Sequence, residues 1–530
     1  MHEFNLKMVK IILVVVVIAL LFGMLGSISL LKNNYYMRAK YFEMQFDYLK
    51  EKVVFGQYYY GSLLGWIGNW TGARTPQPTK REVAQSVPIL LYHGVITSPG
   101  WKSDGTNISL NDFRDQMFAL KKTGYHSISL SQFLDFMQSG KPLPAKSILI
   151  TFDDGRADSF YPVDPILRVL DYNAVMFVIT GRSFGADTNK NTFHLSEDEL
   201  KKMLASGRWE MASHTQNGHG FLKIDANGNQ GHFLSDKLWL DGKSRLETDE
   251  EYTQRIKIDL AGSKRDIENG LGIKVLGFAY PFGDYGNDEQ DFPGAKIILN
   301  DSINSLFPLS FRQVGGNEFP GNYAGKDFRL VKRIDVNGNM SKDQLLFILN
   351  SSQEKSLPYV DAFSGNNGWI TAWGNSELKN GLLLTRASVS ENSSMTFLNG
   401  TFEWTDYTMS AKTRLLQGNS FAAVARYING NNYVSCDFTG WGVALSQSIG
   451  GMETAISESD QSLQISPEKD SEVRIGVSGN TAACYIGDKE IVAGTISPSL
   501  NHGGIGFKTW DNTVNNSSLL VSNLKVDSAQ

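Results

Sequence analysis

The chain has 530 residues, 41% of them hydrophobic, a formal net charge of -5 and two cysteines. That length and composition suit two or three globular domains, each with its own core. So small a charge excludes the basic footprint of a nucleic-acid binder and is compatible with a neutral polymer as partner.

Residues 11–31 are uncharged and apolar between Lys10 and Lys32, matching the ~20 residues needed to cross a hydrocarbon core. They predict an uncleaved signal anchor, with a cytoplasmic tip and transmembrane helix in 1–32 and everything after it outside. Gly26-Ser27-Ile28-Ser29 offers the alternative of a signal-peptide cleavage site. Lys32, Arg38 and Lys40 follow the apolar run, so positive-inside counting does not set the orientation; the long globular remainder does. Residues 33–86 read as stalk and linker: a helix over 33–52, interface-loving aromatics from Tyr58 to Trp70, then an extended stretch around Pro76 and Pro78 that holds the next domain off the bilayer.

From residue 87 strand and helix patterns alternate. Strands are predicted at 87–92, 126–130, 148–154, 174–180, 209–212, 275–280 and 328–335, and helices at 110–123, 131–138, 161–172, 196–206 and 252–271, with 344–350 closing the domain. Ser196 before Glu197-Asp198-Glu199 reads as an N-cap with an acidic first turn. Continuous apolar strands alternating with helices predict a parallel sheet or α/β barrel over 87–354.

The strand at 148–154 ends in Asp153-Asp154-Gly155. Asp-Gly serves ordinary turns, yet acidic side chains where a barrel strand leaves the core also face a cleft. Ser213-His214-Thr215-Gln216-Asn217-Gly218-His219 tips the balance, because two of only eight histidines fall in one loop at another strand end. Two neutral imidazoles and one carboxylate are the ligand set of a hydrolytic metal centre. Adjacent strand residues face opposite ways, so one aspartate suits a ligand and the other a base. His93, in Leu91-Tyr92-His93-Gly94, either lines the same rim or is a structural strand-end histidine. Arg333 and Asp335 end the late strand, as rim supports or as an ordinary ion pair.

Thr151-Phe152-Asp153-Asp154-Gly155, Ser213-His214-Thr215 with His219, and Tyr280-Pro281-Phe282-Gly283, in that order within 87–349, resemble the polysaccharide deacetylase family (NodB homology, carbohydrate esterase family 4). The resemblance implies a distorted (β/α) barrel of about seven units. It also implies Asp153 as general base, and Asp154, His214 and His219 as ligands of one divalent metal ion: zinc first, with cobalt, nickel or iron suited to the same donors. Phe282 would stand at the acetyl pocket with a backbone N–H facing the oxyanion. Tyr280, Pro281, Trp239 and Arg333 are expected at the substrate, Trp239 or Phe233 of the 219–250 insertion either stacking on sugar faces or anchoring their own loop. The five-residue histidine spacing, and alanine before Tyr280 where many members have arginine, resemble the PgaB/IcaB-type branch. The chain departs from many members in lacking a late Leu-x-His, since no histidine lies between His232 and His502; His93 is the candidate acid.

These features imply a metal-dependent hydrolase that removes N-acetyl groups from N-acetylhexosamine polysaccharide at the cell surface. Its partners would be the polysaccharide, the membrane through the N-terminal helix, and exopolysaccharide-synthesis or cell-wall machinery, with no nucleic acid. An O-acetyl polysaccharide esterase and a non-catalytic surface glycan-binding protein are the alternatives. Beyond Glu354 helical spacing gives way to short alternating segments with Gly, Asn and Ser turns, predicting an all-β sandwich over 355–530. Gly503 to Phe507 and Val521 to Val526 loosely resemble concanavalin-like or laminin-G-like jelly rolls, which implies either a carbohydrate-binding or a structural module. Cys436 and Cys484 either pair or remain free buried thiols.

Overall fold

Stretches rich in Val, Ile, Leu and Phe become β1 (Ser86–Tyr92), β2 (Ser147–Phe152) and β3 (Ala174–Val178), buried on both faces, and more mixed stretches become β4 (Trp209–Ser213), β5 (Gly277–Ala279), β6 (Leu309–Gln313) and β7 (Val331–Asp335). This computed structural model describes residues 35–61, 83–185, 192–326, 328–460 and 469–529. The strands run β1-β7-β6-β5-β4-β3-β2, all neighbours parallel, and β1 also pairs with β2, so the sheet closes into a barrel of seven strands. The closure is thinnest where β4 and β5 share the single register pair Ser213 and Phe278. Ile89, Leu149, Val175, Phe177, Phe311 and Val331 belong to the core cluster of this barrel.

Around it lie α1 (Tyr35–Tyr60), α2 (Leu110–Lys122), α3 (Leu130–Ser139), α4 (Asp164–Leu170), α5 (Glu197–Ala205), α6 (Asp249–Leu271), α7 (Ala295–Leu306) and α8 (Lys342–Ser351). Ser196 and Glu199 form the capping box that starts α5. The sequence pattern left 281–327 unassigned, yet α7 and β6 lie there. In β6 the apolar Leu309 and Phe311 alternate with Ser310 and Arg312, so it shows no continuous apolar run.

Residues 35–60, expected as part of a free stalk, are instead a helix docked on the barrel. Glu51 is buried in a two-point pairing with Arg114 of α2, both contacts at 2.6 Å. The Arg168 guanidinium of α4 lies 4.0 Å over the Tyr48 ring, and Phe55 meets Phe118 edge-on at 4.9 Å. The apolar segment 11–31 and the prolines of the linker lie outside the described residues. Among the described residues no helix is long and apolar enough to cross a membrane.

The chain divides into two compact units, Met1–Gln313 with Asn322–Leu345, and Val314–Gly321 with Leu346–Gln530. Apart from the end of α8, the second is built of β-structure, with one eight-stranded and one seven-stranded sheet. The seven-stranded sheet contains β8 (Trp369–Trp373), β9 (Ser393–Leu398), β10 (Ser420–Asn429), β11 (Asn432–Thr439), β12 (Val443–Ile449), β13 (Met452–Ser459) and, after β14 (Thr481–Ile486) of the other sheet, β15 (Gly504–Trp510). Its order is β8-β9-β15-β10-β11-β12-β13, and its antiparallel partners alternate core and outer side chains. Trp369, Leu445, Ile475, Phe507 and Val521 pack in one core.

Cys436 of β11 and Cys484 of β14 are disulfide-bonded, tying the two sheets together. The bridge closes a loop with a sequence separation of 48, for which chain entropy assigns about 4 kcal/mol. A Cys436→Ala/Cys484→Ala double variant should therefore lose roughly 2–4 kcal/mol in denaturant unfolding of the sandwich; unchanged stability would show that the bridge does not constrain the unfolded chain.

Candidate active site

The carboxyl ends of the barrel strands gather the polar residues that the apolar strands exclude. Asp153 and Asp154 follow β2, His214 follows β4, Tyr280 to Gly283 follow β5, and Arg333 and Asp335 close β7. Asp154, Thr215 and Phe282 all take left-handed backbone, with φ of 72°, 74° and 60°. Such conformations cost non-glycine residues about 1–3 kcal/mol each and persist where surrounding structure over-determines them. Here they sharpen three strand exits around one point.

Asp154, His214 and His219 each offer one ligand atom, and these atoms lie within 4.8 Å of one another. His219 Nε2 is 3.2 Å and His214 Nε2 3.7 Å from Asp154 Oδ1. Donors on a tetrahedral ion with bonds near 2.1 Å stand about 3.4 Å apart, so the spacing fits a metal. Asp154 Oδ1 is buried without a partner in hydrogen-bond geometry, as expected of a ligand oxygen.

The loop supplying both histidines is stapled by α6. Asp259 accepts from Gln216 N and Asn217 N at 3.0 and 2.7 Å, and Asp266 accepts from Gln216 Nε2 at 2.7 Å. Gly262 lets the helix approach, since a Cβ there would stand 2.5 Å from Gln216 Oε1. His214 Nδ1 donates to Ala279 O at 2.8 Å, which leaves the Nε2 lone pair facing Asp154. Burial pushes the His214 imidazole down to about 4, despite the nearby carboxylate of Asp153, so it is neutral and able to bind metal at pH 7. Burial works to raise the Asp154 carboxyl, but the adjoining imidazole of His219, together with His214, outweighs it and holds it below the usual range.

Arg333 is corrected by the structure. It is neither at the rim nor exposed to substrate: its side chain is fully buried and grips Asp153, Nη1 to Oδ1 at 2.6 Å and Nη2 to Oδ2 at 2.8 Å. Burial raises the Asp153 carboxyl, and the Arg333 charge overcomes that, with His214 assisting, so the group lies below its ordinary value. Asp153 Oδ2 stands 3.8 Å from His214 Nε2, beside the triad but separate from it. His93 follows β1 next to Asp153, whose N–H donates to Tyr92 O at 3.1 Å. His93 Nδ1 is buried without a hydrogen-bond partner, as is Asp335 Oδ1. Burial raises the Asp335 carboxyl and His93 pulls it down, so the two interact.

Tyr280 and Pro281, expected at the substrate, have buried side chains, and the Tyr280 hydroxyl donates to Asn300 Oδ1 of α7 at 2.7 Å. They shape the turn that presents Phe282. The Phe282 ring is 41% exposed and lies 4.6 Å from the His219 ring. Trp239 is half-buried in a short ladder with Leu246, its ring under Lys223 at 6.0 Å, and Phe233 is packed under Arg255 at 4.4 Å. The insertion's aromatic beside Phe282 is instead Phe221, at 5.0 Å, with His232 stacked on Phe282 at 4.8 Å and 8°. His232 pairs with Asp284 at 2.5 Å. Phe221, His232, Asp284 and Arg182, which donates to His219 O at 3.2 Å, are absent from the sequence-based site. Asp284, one residue past the third motif, was the signal that could have drawn attention to that rim.

The closed parallel barrel thus carries adjacent carboxylates and two imidazoles at its carboxyl ends, a donor set able to hold a metal ion. Residues 140–291 match the polysaccharide deacetylase family, and this part of the chain is a polysaccharide deacetylase domain. Over 187 residues, 34% of this chain, it is 25% identical to poly-beta-1,6-N-acetyl-D-glucosamine N-deacetylase of Escherichia coli K12. It is 28% identical over 183 residues to the protein of the same name from Staphylococcus aureus MRSA252, again 34% of this chain. The chain spans 28% and 56% of the length of those two relatives. A solved de-N-acetylase from Aggregatibacter actinomycetemcomitans is 23% identical, with a TM-score of 0.42, covering 49% of this chain and 99% of that one.

Proposed function

We propose that the chain is a metal-dependent hydrolase that removes N-acetyl groups from an N-acetylhexosamine polysaccharide, poly-β-1,6-N-acetylglucosamine being the first candidate. The observation that carries this reading is the triad of Asp154, His214 and His219 beside a carboxylate, Asp153, kept ionised by Arg333. A divalent ion held by the triad, zinc first, would acidify water and polarise the acetyl carbonyl. Asp153 takes the proton from the attacking water, and Arg333 keeps it available as a base. His93, flanked by Asp153 and Asp335, returns a proton to the departing amine. The exposed Phe282 and Phe221 rings give the sugar an apolar floor next to His219. The domain names of the relatives support the amide over the ester.

Residues 11–31 would anchor the chain, with the barrel and sandwich outside the cytoplasm. The Cys436–Cys484 bridge supports an oxidising compartment. Synthesis or cell-wall machinery for the same polymer would be the natural neighbour.

The test is acetate release from poly-β-1,6-N-acetylglucosamine by the full chain, with and without chelator. Release should stop on metal removal and return when the ion is restored. Release only from O-acetylated polymer would favour the esterase, and glycan binding with no release under any metal would favour the binding protein.

A further inference from the structure

Near the triad stands an imidazole that the proposed reaction does not use. His232 ends a short antiparallel hairpin, Phe221–Lys223 with Gln230–His232, and lies directly across from Phe221. Their rings are 4.7 Å apart, and both meet Phe282, Phe221 at 5.0 Å and His232 at 4.8 Å. Phe282 in turn meets the His219 ring at 4.6 Å. Phe221 and His232 therefore stand one ring farther from the triad than Phe282 does.

The His232 ring is held at one edge only. Its Nδ1 donates to Asp284 Oδ2 at 2.5 Å, and the buried Asp284 carboxylate also accepts from Ser235 Oγ and from Gly286 N at 2.9 Å. Burial works to raise the Asp284 carboxyl, but these hydrogen bonds outweigh it and hold it below the usual range. A carboxylate on Nδ1 keeps the proton there and turns the other nitrogen outward. Nε2 has no hydrogen-bond partner among the described residues and is not an enclosed atom, and the side chain keeps 15% of its surface open. Around it Phe221 and Phe282 are 50% and 41% exposed. Tethering the hairpin needs only Nδ1; it does not account for two large apolar rings facing solvent beside a free nitrogen. An open apolar platform with one oriented polar atom at its edge suits a sugar, whose faces are apolar and whose rim carries hydroxyls.

We propose that Phe221 and His232 form a second sugar subsite, which holds the hexosamine next to the one at the triad, with His232 Nε2 hydrogen-bonded to one of its hydroxyls. A hexose is the size of a single aromatic ring, so a sugar at the triad covers Phe282 and its neighbour in the polymer falls on Phe221 and His232. A hydroxyl both donates and accepts, and it therefore suits Nε2 as the lone pair of the neutral ring and as the N–H of an imidazolium. The subsite makes the barrel a reader of oligomers rather than of single sugars, and it sets the register in which one acetamide arrives at the triad. The assignment rests on the deacetylase reading for what happens at the triad.

The test is calorimetric titration of the full chain carrying Asp153→Asn, so that ligand is not consumed, with β-1,6-linked and β-1,4-linked N-acetylglucosamine pentamers. His232→Asn keeps an amide nitrogen where Nδ1 stands, and with it the tether to Asp284, but has nothing at Nε2. His232→Gln reaches the Nε2 position and gives up the tether. The asparagine variant should bind about five- to tenfold more weakly, as for one lost hydrogen bond, and the glutamine variant within about twofold of the parent. Phe221→Ala, a change at an exposed ring that leaves the His232–Asp284 pair in place, should weaken binding about fivefold. Parent-like binding by His232→Asn, or equal losses in both His232 variants with thermal unfolding and metal content unchanged, overturns the hydrogen bond. Should either His232 variant unfold at lower temperature, Phe221→Ala decides: parent-like binding overturns the subsite, as does failure of the parent to bind either pentamer. Since the readout is binding, its failure is distinguishable from failure of the deacetylase reading, which is absence of acetate release by the chain with Asp153 intact.

Discussion

Asp153→Asn is expected to lower acetate release by about 10²- to 10⁴-fold, the range for loss of a positioned general base, while metal content stays unchanged. Asparagine preserves the shape of the side chain and can still accept from Arg333 through one oxygen, but it cannot take a proton. The triad of Asp154, His214 and His219 does not include it. Asp154→Asn or His214→Gln should behave differently, losing activity and metal together because each removes a ligand. Metal analysis alongside acetate release separates the two classes. Activity within tenfold of the parent would remove Asp153 from the base role, and metal lost on Asp153→Asn would move it among the ligands.

The barrel was legible because β1, β2 and β3 are short continuous apolar runs, and the triad of Asp154, His214 and His219 because its residues sit in two compact motifs. Even the start of α5 could be read, since Ser196 and Glu199 stand three apart in sequence. What escaped depends on contacts between distant positions. Arg333 reads locally as a polar strand end, and its partner lies 180 residues away. Glu51 and Arg114 are 63 apart, so nothing around α1 announces that it docks on the barrel rather than standing free. Trp239 drew attention as a large aromatic, but exposure and neighbourhood select Phe221, and only the folded hairpin brings Phe221 and His232 to Phe282. The pairing of Cys436 with Cys484 was open in sequence because two apolar strands do not reveal that they face each other across a sandwich.

Arg333→Met should produce the largest loss of stability of any single change at the site, about 3–5 kcal/mol, because it strands a buried carboxylate without its partner. In the parent, Asp153 has a depressed folded pKa. Its contribution is present above the unfolded value near ~3.9 and is lost as pH falls through the lower folded value. Without Arg333, burial is left to dominate and raises the folded pKa above the unfolded one. The sign then reverses: the variant is least penalised at low pH, where Asp153 is protonated in both states, and loses stability as pH rises toward neutrality. The acid limb of the pH–activity profile should move upward with it, since the base must now be deprotonated against burial. Denaturant unfolding at several pH values tests the sign, and a variant that keeps the parent's pH dependence would show that Arg333 contributes packing over Phe177, 5.1 Å away, rather than charge. Arg333→Lys distinguishes charge from geometry, because a lysine keeps the former and cannot reproduce the two-point grip. Adding Asp153→Asn to Arg333→Met should recover stability without activity, because the buried charge is then gone and so is the base.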